Sequence, residues 1–269
     1  MDALLKTENV KKRYRRGGAS GPEREPGAVD GVSLTIFSGT TLALVGPSGS
    51  GKSSLARCMS LLEPVSSGKI WFAGREVTNL TERERRAVRP NIQMVFQDPA
   101  NSLNPRMSAL ELVMEPLEVQ KRGNRGMLRR AAGDLLGRVG LRPENMNHRA
   151  RECSGGQRQR IAIARALALG PRLLILDEAL SALDCSVQAH IANLLLELQT
   201  ALGLTYVFIT HDMTMAAHLA DEIAVMERGR VVEMGAAARI VSAPRQAVTQ
   251  RLLLAARAMN NVADAPRAV

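Results

Sequence analysis

The run GPSGSGKS at residues 46–53 has the spacing of a phosphate-binding loop. Its glycines let backbone N–H groups curl around an anion, because no Cβ atoms stand in the way. A helix that starts at the end of the loop directs its positive N-terminus toward the phosphates. Lys52 adds a positive charge for the β- and γ-phosphates, and the Ser53 hydroxyl is a ligand for Mg²⁺. The run therefore predicts a nucleoside triphosphate site.

Two adjacent acids form a second group that could take part in chemistry. Asp177 and Glu178 follow the apolar run at residues 173–176, which predicts a buried strand with both acids at its carboxyl end. Asp177 is suited to hold Mg²⁺, directly or through water, and Glu178 to polarise the water that attacks the γ-phosphate. Taken alone, the run is equally compatible with a strand capped by acids. Together with the phosphate loop, it indicates nucleoside triphosphate hydrolysis.

The elements that must position these groups alternate between strands and helices. Short apolar or alternating runs predict strands, and longer stretches with helical periodicity predict helices. Strands are predicted at residues 29–36, 41–45, 69–72, 92–96, 172–176, 204–209, 222–226 and 230–233, and helices at residues 52–62, 156–169, 186–202, 213–220 and 246–259. This alternation predicts an α/β fold with a parallel sheet.

A different character marks the middle of the chain. Four prolines between residues 99 and 143 punctuate amphipathic stretches such as residues 127–139, which predicts a separate helical segment. We therefore expect one domain over residues 1–269, with a core lobe of residues 1–97 and 163–269 and a helical subdomain of residues 98–162. Residues 17–27, rich in Gly, Ser and Pro, predict an exposed loop.

Composition limits the class of protein. The 269 residues are 45% hydrophobic and 23% charged, which excludes intrinsic disorder as the main state. A formal net charge of +10 suits anionic partners, although a solvated basic surface is also compatible with it. The three cysteines have no CxxC spacing, which argues against a disulfide framework or a structural zinc site. No signal peptide or long apolar run is evident, so we expect any membrane link to come through a partner.

The run SGGQRQR at residues 154–160 carries a resemblance to a known family. Together with further motifs that lie in the order expected for the family, this run makes the chain resemble the ATP-binding subunit of ATP-binding cassette (ABC) transporters. Residues 46–53 resemble the Walker A motif, residues 173–178 the Walker B motif, residues 153–157 the signature motif and residues 181–184 the D-loop.

Three single residues extend the resemblance. Gln97 resembles the Q-loop glutamine, which implies contacts with Mg²⁺ and the attacking water. His211 resembles the switch histidine, which implies contact with the γ-phosphate. Tyr14 resembles the aromatic residue that stacks on adenine.

The resemblance implies a P-loop NTPase of the ABC type: a mainly parallel RecA-like core sheet, an antiparallel β subdomain and an inserted helical subdomain. It implies ATP and Mg²⁺ as ligands, with the signature residues contacting the ATP of a second subunit. The residues implied to bind ATP are Tyr14, Gly46, Pro47, Ser48, Gly49, Ser50, Gly51, Lys52, Ser53, Ser54, Ser154, Gly155, Gly156 and Gln157. Those implied to hold Mg²⁺ are Ser53, Gln97 and Asp177, and those implied in catalysis are Glu178, His211 and Gln97.

Two further stretches resemble one group within the family. Residues 97–106, QDPANSLNPR, and residues 242–253 are similar to stretches of peptide, dipeptide and nickel importers. This implies an ATPase that powers import of peptides, nickel or a similar small solute at the cytoplasmic face of the inner (plasma) membrane. The implied partners are two transmembrane permease subunits that dock on the helical subdomain, a second ATP-binding subunit of the same or a related chain and, indirectly, a solute-binding protein. No nucleic acid is expected.

Two alternatives remain open at this point. A soluble ABC ATPase in a non-transport complex is compatible with the net charge, although the importer-like stretch argues against it. A nucleotide-binding regulator without hydrolysis is disfavoured by Glu178 and His211. Cys153 stands where the family commonly has leucine and is expected to pack as a small hydrophobic residue. Cys185 follows the D-loop-like residues and is compatible with a position at the dimer interface, but a structural filler is favoured.

Overall fold

A computed structural model of the chain describes residues 2–14, 27–98 and 102–263, with side chains up to residue 258. The chain divides into two compact units, one of Met1–Thr81 and Val207–Val269 and the other of Glu82–Tyr206. Most of the loop predicted at residues 17–27, and residues 99–101 of the importer-like stretch, lie outside the described residues. The limits of the helical subdomain at residues 98 and 162 stay a prediction.

The described residues form ten strands and nine α-helices. The strands are β1 (Ala3–Lys12), β2 (Val29–Phe37), β3 (Thr41–Val45), β4 (Ser67–Phe72), β5 (Arg75–Glu76), β6 (Ile92–Val95), β7 (Leu173–Asp177), β8 (Thr205–Thr210), β9 (Glu222–Glu227) and β10 (Arg230–Ala236). The helices are α1 (Lys52–Met59), α2 (Glu82–Val88), α3 (Ala109–Val119), α4 (Arg125–Arg138), α5 (Gly155–Leu167), α6 (Cys185–Leu202), α7 (Met213–Leu219), α8 (Ala237–Ser242) and α9 (Ala247–Ala263). No helix among them combines the length and the apolar character that a membrane crossing requires.

An antiparallel sheet in the first unit has the strand order β2-β1-β4-β5. Strand β1 is missing from the predicted strands, because charged residues interrupt its apolar alternation. The structure buries Leu5, Thr7, Val10 and Lys12 along this strand. The Lys12 ammonium donates a hydrogen bond of 2.9 Å to the carbonyl oxygen of Pro64, so this charged side chain faces inward.

The first unit also holds strands β10, β9, β3 and β8 side by side in this order. Strand β3 is parallel to β9, and β10 is antiparallel to β9. All five residues of β3 are buried, and its bounds match the prediction. Residues from α7, α8 and α9 complete the core on β3 and β9, among them Met213, Ile240 and Leu253. This packing fixes the end of β3, from which the phosphate loop starts.

In the second unit, β6 is parallel to β7, and helices α3, α4 and α5 pack against one another. Helix α5 also packs against β6 and α6. The amphipathic stretch predicted at residues 127–139 lies in α4, whose first turn is capped by the Asn124 side chain. Parallel and antiparallel strands with helices agree with the predicted α/β class.

Helix α1 is shorter than predicted, because it ends at Met59 instead of residue 62. The Ser60 N–H still donates to the carbonyl oxygen of Ala56, but Leu61 adopts a left-handed conformation with φ of 59°. An L-residue rarely adopts this region, and there it turns the chain out of the helix. The turn brings the following residues back along α1.

Candidate functional site

The phosphate loop joins β3 to α1 in the first unit. Gly46, Gly49 and Gly51 have φ values of 153°, 77° and 102°, which glycine tolerates. A Cβ atom on Gly46 would clash with the carbonyl oxygen of Met226, and one on Gly51 with that of Ala28. At these two positions, both space and backbone conformation therefore require glycine.

Lys52 is the first residue of α1 and is buried. Its Nζ atom donates hydrogen bonds of 2.9 Å to the carbonyl oxygen of Gly46 and 3.0 Å to that of Pro47. The positive charge is therefore held inside the curve of the loop, where phosphate oxygens would meet it.

Three features of the loop fit a phosphate group. Helix α1 starts after Gly51 without a side-chain cap and without an acid in its first turn. Its N–H groups and dipole thus favour an anion. The hydroxyl of Ser50 is buried and has no hydrogen-bond partner, which costs free energy unless a ligand supplies one. The predicted residues Pro47, Ser48 and Gly49 form the exposed rim of the loop, and Ser53 and Ser54 lie half-buried in the first turn of α1.

Tyr14 follows β1 and lies beside α1. Its side chain is 51% exposed, and its Oη atom donates to Glu63 Oε2 at 2.8 Å. The same Oη atom is 3.3 Å from Ser54 Oγ. Sequence reasoning singled out Tyr14 but missed Glu63, because no motif spacing links residues that lie 49 positions apart.

The acidic pair lies at the end of β7 in the second unit. Asp177 is the last strand residue and is buried, and Glu178 follows it with a left-handed φ of 46°. Such a conformation is strained for a residue with a Cβ atom, and strain of this kind clusters at functional sites. The Ser181 hydroxyl donates to the carbonyl oxygen of Glu178 at 2.9 Å, which holds the turn in place.

The Gln97 side chain, two residues beyond β6, reaches the same acid. Its Nε2 atom donates a hydrogen bond of 2.9 Å to Glu178 Oε2. Because β6 and β7 are parallel neighbours, their carboxyl ends lie at one edge. The structure thus brings together two of the predicted catalytic residues.

The signature residues form the start of α5. Ser154 caps this helix: its Oγ atom accepts from the Gln157 N–H at 3.2 Å, and its own N–H donates to Gln157 Oε1 at 2.8 Å. A Cβ atom on Gly156 would lie 2.8 Å from Val187 Cγ1, and one on Gly155 would lie 3.5 Å from a Leu183 methyl group. Gly156 therefore permits close packing of the α5 start against α6.

His211 is exposed and follows β8, as predicted. The next residue, Asp212, caps α7: its Oδ1 atom accepts from the N–H groups of Thr214 at 2.7 Å and Met215 at 3.2 Å. This cap fixes where α7 begins and thereby positions the backbone beside His211.

The donors proposed for Mg²⁺ are the Ser53 hydroxyl, the Gln97 amide and the Asp177 carboxylate, all oxygen ligands of the kind that Mg²⁺ prefers. Within the part of the chain that the structure describes, no three His, Cys, Asp or Glu side chains are grouped as a metal site. A hydroxyl, an amide and a single carboxylate fit an ion that would keep water and substrate phosphates among its ligands.

The cysteines divide into buried and exposed groups. Cys153 is buried, as expected for a small hydrophobic residue, and burial raises the pKa of its thiol. Cys58 is buried too, and burial raises its pKa to about 11. Cys185 is exposed at the start of α6. The expectation that Cys185 is a structural filler is therefore wrong, because it occupies no core position.

Comparison with known proteins finds relatives that are ATP-binding proteins of transporters. A family model described as ABC transporter matches residues 29–181. The "Probable peptide ABC transporter ATP-binding protein y4tS" of Sinorhizobium fredii is 44% identical over 95% of this chain and 73% of its own length. The "Dipeptide transport ATP-binding protein DppF" of Escherichia coli is 42% identical over 96% of this chain and 77% of its own length.

Solved structures share the fold. An ATP-binding cassette solved as a dimer in a post-hydrolysis state with ADP and Pi has a TM-score of 0.78 and 32% identity, and the match covers 87% of this chain and 99% of that one. The protein cbiO1 from Clostridium perfringens, described as part of an ABC transporter complex, has a TM-score of 0.80 and 28% identity, with coverage of 98% and 99%. The predicted P-loop fold of the ABC type is confirmed.

Proposed function

Because the chain belongs to the ABC transporter family, we propose that it is the ATP-hydrolysing subunit of an importer for peptides or a similar small solute such as nickel. The observation that carries this proposal is that a single chain contains both the phosphate loop with its buried Lys52 and the hydrogen bond between Gln97 and Glu178. Relatives named for peptide and dipeptide transport support an importer over a soluble complex of another kind.

In this proposal, the loop residues 46–54 hold the triphosphate through backbone N–H groups and the Lys52 ammonium, and Tyr14 stacks on adenine. Ser53, Asp177 and Gln97 would hold Mg²⁺, which neutralises charge on the β- and γ-phosphates. Bound in this way, the γ-phosphate is presented to water at a fixed position.

Glu178 is the proposed general base. As the water oxygen bonds to the γ-phosphorus, one water proton passes to the Glu178 carboxylate, and the bond to the β–γ bridging oxygen breaks to release ADP and phosphate. The hydrogen bond from Gln97 restricts the orientation of that carboxylate. His211 contacts the γ-phosphate and helps to hold it during the reaction.

The partners follow from the same proposal. The chain pairs with a second ATP-binding subunit, identical or related, and its Ser154, Gly155, Gly156 and Gln157 contact the ATP of that subunit. The cassette solved as a dimer supports this pairing. Two permease subunits dock on the helical segment at the cytoplasmic face of the inner membrane, and a solute-binding protein delivers the cargo to them.

Affinity purification of the tagged chain from membranes tests the proposal. We expect permease subunits in the purified complex, and ATP-dependent uptake of a dipeptide or of nickel once the complex is in proteoliposomes with its solute-binding protein. Uptake should be lost in Glu178→Gln. Recovery of the chain with nucleic acid or soluble enzymes, without membrane subunits, would overturn the importer assignment.

A further inference from the structure

The Tyr14 ring is held at its hydroxyl end while half of the side chain remains exposed. Its Oη atom is 2.8 Å from Glu63 Oε2 and 3.3 Å from Ser54 Oγ. The side chain is 51% exposed, and the Lys12 ammonium lies 5.0 Å from the ring centroid. A ring that is fixed at one end and open to solvent is suited to stack on a planar ligand.

Glu63 reaches this position through the turn that ends α1. After the left-handed residue Leu61, the N–H of Glu63 donates to the carbonyl oxygen of Arg57 at 3.1 Å. The backbone of Glu63 is therefore tied to the last turn of the helix that starts at the phosphate loop. Its carboxylate extends from there toward Tyr14.

The Glu63 carboxylate is held as an anion. Burial disfavours its charged form, but hydrogen bonds from Tyr14 and Lys12 outweigh that effect and keep the pKa of Glu63 below its usual value. Lys12 Nζ is 3.1 Å and Arg57 Nη1 is 3.6 Å from the carboxylate oxygens. A charged acceptor binds the Tyr14 hydroxyl more strongly than a neutral one.

We propose that Glu63 is a positioning residue that fixes the Tyr14 ring for stacking against the nucleobase of ATP. The inference rests on the proposed function, in which Tyr14 contacts adenine. Ser54 lies in α1, and the backbone of Glu63 is hydrogen-bonded to the last turn of α1. The ring that would stack on the base is therefore tied to the helix whose start would bind the phosphates. The ring and the phosphate loop are thus held at a fixed separation. This lowers the conformational entropy that the ring loses when ATP binds.

A purely structural role for Glu63 is the competing account, because its ion pair with Lys12 also holds the end of β1 against α1. The two accounts differ in which ligand is affected. Loss of ring positioning weakens ATP but leaves inorganic tripolyphosphate unchanged, since tripolyphosphate has no base. Loss of local structure weakens both, because α1 carries the phosphate loop.

The test compares the Kd of ATP and of tripolyphosphate in the purified full chain, with kcat followed alongside. For Glu63→Leu, we expect the Kd of ATP to rise about three- to tenfold, as for loss of one hydrogen bond, with the Kd of tripolyphosphate and kcat changed by less than about twofold. Glu63→Gln keeps an acceptor and should give an intermediate Kd. Glu76→Leu is the matched control, because it removes an ion pair with Lys69 on the antiparallel sheet and does not involve Tyr14.

The double variant Tyr14→Phe/Glu63→Leu decides whether Glu63 acts through the ring. We expect Glu63→Leu to have no further effect on ATP binding in the Tyr14→Phe background. The inference would be overturned if Glu63→Leu raised the Kd of ATP as much in the Tyr14→Phe background as in the wild type. It would also be overturned if Glu63→Leu weakened tripolyphosphate binding as much as ATP binding. If Tyr14→Ala weakens ATP but Glu63→Leu does not, the inference fails while the stacking role stands. If Tyr14→Ala leaves ATP binding unchanged, the stacking role and the inference both fail.

Discussion

Gln97 Nε2 donates a hydrogen bond of 2.9 Å to Glu178 Oε2, although the two residues lie 81 positions apart. The contact exists because β6 and β7 are parallel neighbours whose carboxyl ends coincide. Glu178 accepts this hydrogen bond while its backbone has a strained, left-handed conformation with φ of 46°. An amide and a carboxylate are thereby joined where the proposed hydrolysis would occur.

Replacing Glu178 with Gln should abolish turnover while ATP binding persists. The amide keeps the shape of the side chain but cannot accept the proton of the attacking water, so kcat should fall about 10²- to 10⁴-fold. Phosphate release measures turnover, and light scattering with ATP should reveal a trapped dimer. Glu144→Gln, at an exposed acid of the same unit, is the control. Wild-type turnover in Glu178→Gln would refute the proposal that Glu178 is the general base.

Replacing Gln97 with Leu should lower kcat more than it weakens ATP binding. The variant removes the hydrogen bond that restricts the Glu178 carboxylate, and misplacement of a reacting group costs about ten- to hundredfold in rate. Steady-state ATPase assays and titration of ATP separate kcat from Kd. Gln120→Leu, at an exposed position after α3, should change neither. An unchanged kcat in Gln97→Leu would show that the carboxylate needs no such support.

Replacing Lys52 with Met should weaken ATP binding about ten- to hundredfold, as for loss of charge-assisted hydrogen bonds. The ammonium sits on the carbonyl oxygens of Gly46 and Pro47, inside the loop. Titration of ATP measures the change. Lys69→Met is the control, because that ammonium pairs with Glu76 on the antiparallel sheet. A Kd within twofold of wild type in Lys52→Met would contradict the assignment of the loop.

Sequence reasoning succeeded where a short pattern carries the structure. The bounds of β3 match the prediction because five consecutive buried residues form it, and the helix predicted to begin at residue 156 begins at Gly155. Strand β1 was missed because its charges obscure its alternation. The contact between Tyr14 and Glu63 depends on the turn at Leu61, and no local pattern encodes the meeting of such distant residues.

Thiol labelling at neutral pH should modify one cysteine per chain. Cys185 is exposed, whereas Cys58 and Cys153 are buried with raised pKa values and therefore hold little thiolate. Mass spectrometry after maleimide treatment counts the sites, and Cys185→Ser should remove the signal. Cys185 follows residues 181–184, the predicted D-loop, and would lie at the interface of the proposed dimer, so ATP should protect it in Glu178→Gln if that dimer forms. Equal labelling with and without ATP would argue against Cys185 lying at that interface.

Glu233 should stabilise the first unit in a pH-dependent way. Its buried carboxylate accepts from the N–H groups of Arg245 at 3.0 Å and Gln246 at 3.1 Å and from the Thr249 hydroxyl at 2.7 Å. Burial favours the neutral form, but these hydrogen bonds outweigh it and lower the pKa of Glu233 below 4.5. The contribution should therefore be complete above that value and disappear as the pH falls through the lower pKa of the folded state.

Glu233→Gln tests this argument, because the amide keeps the shape but loses the charge that accepts these bonds. We expect the free energy of unfolding to fall by about 1–3 kcal/mol at pH 7, measured by denaturant titration, and the difference from wild type to shrink as the pH drops below 4.5. Glu227→Gln is the control, since its more exposed pair with Arg251 should contribute about 0–1 kcal/mol. A difference that stays constant down to low pH would mean that the Glu233 charge does not provide the stabilisation.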